Sequence, residues 1–167
     1  MQALIDGERD LKVTYYAASS VDGYIAKSDG DVSWLEELDI SMEDSGYESF
    51  FSTVDGLVMG RKTYEIIKSF GAWPYGDKPT WVCTCGDVEP SEGANLQNEK
   101  LPEAVVEAAR DQGIKHLWLV GGGSLAASFV EKSLLTHTPI SLMPIILGGG
   151  IPLFGPMGDH THLKLKQ

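Results

Sequence analysis

Short apolar runs alternate along this chain with segments in which apolar positions recur every three or four residues, the pattern of strands followed by amphipathic helices. The β-formers VTYYAAS predict a first strand over 13–19. A polar turn region follows, with Asp-Gly at 22–23 and 29–30, interrupted by Ile25. Trp34, Leu35 and Leu38, then Tyr47, Phe50 and Phe51, stand at helical spacing, so 32–53 reads as helical with a break at 39–43. A short strand over 56–59, closed by Gly60, leads into a helix over 62–70, with Tyr64, Ile67 and Lys68 near one face, and then a Gly/Pro/aromatic loop over 71–78. Strands are predicted over 79–85 and, briefly, 94–96. A helix over 103–112 has Pro102 in its first turn and Gly113 as its stop. HLWLV, 116–120, is apolar throughout, as expected of a strand covered on both faces. The Gly121–Gly123 turn, a helix over 124–135, a strand over 141–147, a glycine loop and a last short strand over 162–166 complete the chain. Strands separated by helices predict an α/β fold in three αβα layers, with a mixed, mostly parallel central sheet and helices on both faces. The reading gives one domain over 12–167 after a lead-in at 1–11.

Composition narrows the function. With 167 residues, 43% hydrophobic and 22% charged, the chain is expected to be globular. A formal net charge of -11 repels phosphate backbones, which disfavours nucleic acid as a partner and leaves room for a local pocket holding one phosphorylated small molecule. No apolar run is long enough to span a membrane, and the opening MQALIDGERDLK lacks the basic-then-apolar pattern of a secretion signal, so a cytoplasmic location is expected. Cys83 and Cys85, at i and i+2 of one predicted strand, are poorly placed for a disulfide and fit reduced thiols. His116, His137, His160 and His162 form no ligand pattern, so no metal is expected. Ser19, Ser20 and Ser124 lack an evident His–Asp partnership, which disfavours a hydrolase.

In WLVGGGSLAASFVE, 118–131, an apolar strand runs through three glycines straight into a helix. Glycines let backbone approach a ligand closely, and a helix start offers free N–H groups and the positive end of a dipole to a phosphate. Ser124 is suited either to cap this helix or to donate to a phosphate oxygen. The spacing G-x-G-x-x-A superficially matches a Rossmann fingerprint. It lies late in the chain, however, and lacks the later acidic residue that would hold a ribose hydroxyl, an absence that permits a 2′-phosphate. A plain tight turn accounts for the glycines equally well. In GLVMGRKTYE, 56–65, another strand ends in glycine at a helix start. Arg61 and Lys62 oppose the helix dipole there unless an anion binds between them, a solvated charge pair being the alternative. Two strand–glycine–helix sites suit a dinucleotide with three phosphates. AASSVDGYIA, 17–26, reads as a strand and turn returning one apolar residue, and PIILGGGIPLF, 144–154, as a strand broken by Pro144.

Taken in order, S-x-DGYIA (20–26), DGDVSWL (29–35), VMGRKTYE (58–65), VGGGSLAASFVE (120–131) and MPIILGGGIPLF (143–154) resemble the dihydrofolate-reductase-like superfamily, most closely its riboflavin-biosynthesis reductase branch. The resemblance implies a mixed sheet of about eight strands, with NADPH across the ends of the central ones. Ala18 and Ile25 would contact the nicotinamide. Gly60, Arg61 and Thr63 would hold the phosphate side, and Thr84 and Cys85 would end the strand at the 2′-phosphate. Gly121, Gly122, Gly123, Ser124 and Leu125 would cradle the pyrophosphate. Asp31, Trp34 and Pro144 would line the substrate side. In the riboflavin branch the acceptor is the ribose C1′ of 5-amino-6-(5-phosphoribosylamino)uracil. In dihydrofolate reductase a carboxylate on the first helix binds the pterin and assists protonation, which makes Asp31 the candidate acid and Glu36 the second. A helix cap is the competing role for Asp31. A non-catalytic NADP(H)-binding protein is the reading from another class. Relatives of this kind are often dimers, so a homodimer is expected by analogy. The family pattern continues past Gln167 with a further strand, and THTPISLMP, with Pro139, replaces a more charged entry into the strand at 141.

Overall fold

The computed structural model describes residues 11–41 and 44–166. Residues 1–10 of the expected lead-in and 42–43 of the expected break lie outside the described residues. Leu11, assigned to the lead-in, is instead a core residue with 1% exposure.

A five-stranded parallel sheet runs in the order β1 (Lys12–Tyr15), β7 (His116–Gly121), β4 (Gly56–Gly60), β5 (Pro79–Cys83), β6 (Asn95–Glu99). The run expected as one strand over 13–19 divides at Tyr16, and its second part, β2 (Ala17–Ser20), pairs in parallel with β8 (Ile140–Met143). The other edge of β1 is taken by Thr136 and His137, which bond to the backbone of Val13. A short antiparallel pair, β3 (Tyr24–Ala26) with β9 (Ile151–Pro152), was not legible as strands, and its register slips at Ile25.

Both faces of the sheet are covered, as the apolar strands predicted. Side chains alternate along each strand. Val58, Trp81, Leu117 and Leu119 therefore meet helices α3 (Pro102–Asp111) and α4 (Gly123–Glu131) in one core, through Val105, Val106, Ala109 and Phe129. Leu57, Met59, Val82 and Trp118 face the other core, built from α2 (Arg61–Ser69) and the rings on α1 (Tyr47–Ser52). Trp118 is the hub of that core, with Tyr47, Phe50, Phe51 and Tyr75 all within ring-contact distance.

The 32–53 segment is the largest departure from the predicted helices. It holds a 3₁₀ turn at Ser33–Leu35 and the short α1. Ser41 and Asp44 exchange local hydrogen bonds between them, an alternative to helical bonding that such residues offer. The aromatic spacing reports packing onto the sheet, with Phe50 stacked on Tyr16 at 4.5 Å. The helix expected over 124–135 stops at Glu131, where Ser133 takes φ 55° and Leu134 bonds back to the Phe129 carbonyl. Pro144 ends the β8 ladder early. The last predicted strand, 162–166, is not formed, and Leu163 and Leu165 are exposed. No strand among the described residues pairs with it.

Two contacts lock the loops that follow β2 and β8. Asp22 accepts the N–H groups of Leu147 (3.1 Å) and Gly148 (2.7 Å), which ties the 20–24 turn to the glycine loop. The start of α4 packs so closely on β9 that a Cβ on Gly123 would lie 2.3 Å from the Pro152 carbonyl oxygen.

Gly123→Ala is expected to destabilise the fold by about 1–3 kcal/mol or more through overpacking, read as a lowered urea midpoint. The Asp22 carboxyl is held below its ordinary 3.8, first by Ser20 and then by the loop N–H groups. A depressed native pKa adds stability above the unfolded value, and that stability is lost as pH falls through the native one. The melting-temperature gap between the unaltered chain and Asp22→Asn should therefore be full at neutral pH and close below 3.8.

Candidate active site

The chain reverses its winding between the two central strands. Helix α2, after β4, covers one face, and α4, after the neighbouring β7, covers the other. A crevice opens beyond the carboxyl ends of strands at such a switch point. Met59 pairs with Gly121, and the register skips a residue after Val58, so both strands end side by side at glycine. A Cβ on Gly60 would come 3.9 Å from the Gly121 carbonyl oxygen. Thr63 lies beneath the turn, its Oγ1 3.6 Å from where a Cβ of Gly121 would sit and 3.7 Å for Gly122.

The two helix starts share one electrostatic character. Gly60 and Gly122 are the N-caps, neither helix has a side-chain cap, and neither carries an acidic residue in its first turn. The first N–H groups of a helix have no partner within it, so this end of the sheet presents two uncapped positive dipole ends together. Helix α3, away from this junction, opens with Pro102 and Glu103.

The three glycines of the turn serve different ends. Gly121 has φ 153°, in a region that favours glycine, and the Gly121–Gly122 peptide is cis. Gly123 is fixed by packing, as above. Gly122 has φ -97° and ψ -164°, open to any residue, and only Thr63 stands within 4 Å of its added Cβ. A side chain there would have Thr63 as its near neighbour and otherwise open space.

The other expected cofactor residues gather at the same sheet end to different degrees. Gly60 pairs with Cys83, which brings the end of β5 alongside. The strand expected to reach Cys85 ends at Cys83. Thr84 follows it, with its Oγ1 accepting the Gly86 N–H at 3.2 Å, and Cys85 is exposed. Burial pushes the Cys83 thiol up to about 11. Arg61 opens α2 half exposed, and its Nε is bound to Glu65 at 2.9 Å. That pair offsets part of the charge the sequence left uncompensated. The Arg61 Nη1 lies 3.5 Å from the place of a Cβ on Gly86, so the guanidinium faces the turn after β5. Ser124 is not the cap of α4, which falls to Gly122; it sits in the first turn, exposed. Leu125 packs against the α4 core. Ala18 on β2 and Ile25 at the β3 irregularity are both half-buried.

A cavity of about 380 Å³ lies along the flank of α2, lined by Asp29, Gly30, Asp31, Val32, Ser33, Glu36, Ile66 and Phe70. Asp31 lies in the wall of this cavity. It is 37% exposed and held in one orientation: Oδ1 accepts the Ser33 N–H at 3.0 Å, Oδ2 accepts the Ser33 hydroxyl at 2.7 Å, and Lys27 Nζ stands 3.2 Å away. These contacts, Ser33 first, hold its carboxyl below the ordinary range. The buried carboxyl of raised pKa expected of a proton donor is therefore not what the structure shows. Asp31 does not cap the 3₁₀ turn in the helical sense, since the N-cap is Val32. Trp34, expected in the substrate wall, is enclosed at 1% exposure with its Nε1 unpartnered. Pro144 is exposed beyond β8 and does not line the cavity. Ile66 and Phe70 were missed. The signal for them was an apolar pair on the flank of α2 opposite its core face, marked by Tyr64 and Ile67.

No group of His, Cys, Asp and Glu among the described residues could hold a metal ion, and no helix among them is long and apolar enough to cross a membrane. The model of the RibD C-terminal domain matches residues 72–167. An uncharacterized Bacillus subtilis protein, YwjB, is 36% identical over 159 residues, 94% of this chain and 90% of its own. The crystal structure of a putative riboflavin biosynthesis protein from Shewanella superposes with a TM-score of 0.78 at 32% identity, over 90% of this chain and 86% of that one. Schistosoma mansoni dihydrofolate reductase shares the fold, with a TM-score of 0.60 at 18% identity, over 86% and 81% of the two chains. With its two central strands ending in adjoining, uncapped helix starts, this chain belongs to the RibD C-terminal domain family and has the dihydrofolate-reductase-like fold.

Proposed function

We propose that the chain is an NADPH-dependent reductase acting on a C=N or C=O carbon of a pyrimidine- or pterin-type ring system. One observation carries the reading: the uncapped starts of α2 and α4 lie side by side, with Thr63 beneath the Gly121–Gly122 turn and room above Gly122. That donor set suits a pyrophosphate, which positive helix ends and free N–H groups attract. The Arg61 guanidinium, beside Gly86, suits a further phosphate on the adenosine side. Ala18 and Ile25 would flank the nicotinamide.

When bound, NADPH supplies the hydride, and the protein's part is to bind, orient and exclude water. Helix α2 links the two halves of the site. Its start reaches the glycine turn, and its flank, through Ile66 and Phe70, forms the cavity wall facing Asp31. An acceptor ring in that cavity would place its N–H edge on the ionised Asp31, whose plane Ser33 fixes. With its pKa depressed by Ser33 and Lys27, Asp31 first orients the ring as a hydrogen-bond acceptor. It becomes a proton donor only where a bound ring displaces Lys27 and removes water, both of which raise a carboxyl pKa.

The family's riboflavin branch and the pterin reductases that share the fold set the two ring systems to test. Gly122→Asp should fold with a melting temperature within about 3 °C of the unaltered chain and lose at least about 100-fold in NADPH affinity, followed by fluorescence titration. Unchanged affinity would rule out the crevice as the cofactor site. Asp31→Asn should retain NADPH binding while turnover, followed at the NADPH absorbance band, falls by about 10²–10⁴. NADPH binding in the unaltered chain without turnover of any pterin or pyrimidine would instead indicate a nucleotide-binding protein.

A further inference from the structure

The segment from Leu147 to Gly155 runs as a strap from the turn after β2 to the start of α4. Its far end is seated on the glycine turn. The Gly155 N–H donates to the Gly123 carbonyl at 2.9 Å. An added Cβ on Gly123 would run into the Pro152 carbonyl oxygen, and one on Gly155 would lie 2.9 Å from the Ser124 Cα. In its middle, β9 pairs with β3 on either side of Ile25. The Leu153 N–H donates to the Gly23 carbonyl at 2.9 Å, and the Tyr15 hydroxyl donates to the Leu153 carbonyl at 2.8 Å. The near end is held differently. Gly148, Gly149 and Gly150 follow one another, and a Cβ on either of the first two would meet nothing within 4 Å. Little packing holds this part, and glycine has more conformational freedom to lose than any other residue. What reaches it is the Asp22 carboxylate, which accepts the N–H groups of Leu147 at 3.1 Å and Gly148 at 2.7 Å. The Ser20 hydroxyl is a further partner of that carboxylate and itself accepts the Tyr24 N–H at 2.9 Å.

We propose that Asp22 is a positioning residue of the reductase centre. Through the strap it fixes the Ile25 side of the site against the glycine turn, so that a nicotinamide ring and a pyrophosphate are held at one separation. This deepens the reductase reading and rests on it, since there Ala18 and Ile25 flank the ring and the turn cradles the pyrophosphate. A site that grips both halves of a dinucleotide needs its own two halves fixed relative to each other. Where the competent arrangement is populated only part of the time, the apparent dissociation constant rises by the inverse of that fraction. Asparagine at position 22 keeps the shape of the side chain but exchanges one acceptor oxygen for an NH2 donor. One of the two loop N–H groups then faces a donor, the glycines regain their freedom, and the ring side of the site loosens. The glycine turn keeps its seat, because the bonds made by Gly155, Leu153 and Tyr15 do not involve Asp22. The role therefore has a signature: it acts on the nicotinamide half of the ligand and spares the rest.

The test compares two ligands on the full chain. One is NADPH and the other is 2′-phospho-ADP-ribose, which lacks the nicotinamide. Both are titrated by calorimetry well below the melting temperature of every variant. The unaltered chain should bind NADPH the more tightly. Asp22→Asn should raise the NADPH dissociation constant about 5- to 10-fold and that of the fragment by less than about 2-fold. Asp22→Ala, which offers no acceptor, should go further in the same direction. Asp55→Asn controls for stability. Asp55 also accepts two backbone N–H groups, those of Lys115 at 3.0 Å and His116 at 2.9 Å, at the opposite end of β7. Its substitution should lower the melting temperature and leave both constants unchanged. Equal binding of the two ligands by the unaltered chain overturns the proposal. So do equal losses for both ligands in the Asp22 variants, no loss in either variant, or the same NADPH loss in Asp55→Asn. In each of these cases NADPH still binds the unaltered chain and the reductase reading stands. Failure of the unaltered chain to bind NADPH overturns both.

Discussion

The parallel pairing of β4 with β7 is the constraint on which the remainder rests. It sets Gly60 and Gly121 side by side at the carboxyl edge, and the helices leaving that edge must take opposite faces of the sheet to cover both. A crevice is the geometric residue of that divergence. Burial drives the pairing. Leu57, Val58, Met59, Leu117 and Leu119 are fully enclosed, and at about 1.5–3 kcal/mol for each large side chain removed from water the strands cannot slide without uncovering several at once. The position of the two uncapped helix ends is therefore a by-product of core packing.

Much of this was legible in the order of residues. The strands around 56–60 and 116–121 were readable because an uninterrupted apolar run has few other uses, and the glycines after them because a strand leading straight into a helix has little room to turn. Asp31 was readable as a cavity residue only through family resemblance, and its ionisation state was not readable at all. That depends on Ser33 and Lys27 arriving at its two oxygens, which is a matter of loop conformation. The aromatic positions of 32–53 misled for a related reason. Helical spacing and sheet-covering spacing coincide over short stretches, and the rings of Tyr47, Phe50 and Phe51 are placed by Trp118 more than by their own helix. The β3–β9 pair escaped notice because so short a ladder leaves no periodicity.

The two parts of the site differ in how they are made rigid. The glycine turns and helix starts are mostly backbone, with the Thr63 side chain beneath them, and the loop after β8 is held by Asp22 through main-chain N–H groups. The cavity is made of side chains on a loop, with exposed carboxylates and a largely exposed phenyl ring. A backbone cradle tolerates sequence change around it and suits a ligand that many proteins share. A side-chain wall can be recut one residue at a time without moving the backbone that carries it.

His116 lies at the far end of β7 from all of this. Its Nδ1 donates to the Thr53 carbonyl, its Nε2 meets the Thr14 hydroxyl at 2.8 Å, and burial lowers its pKa. A neutral imidazole thus ties β7 both to β1 and to the end of α1, about 17 Å along the strand from the glycine turn. This proton-sensitive fastening of the framework and the glycine rim are separated by the length of one strand. Acid can then loosen the base of the molecule without first disturbing the geometry at its mouth, and selection can adjust endurance and chemistry as separate traits.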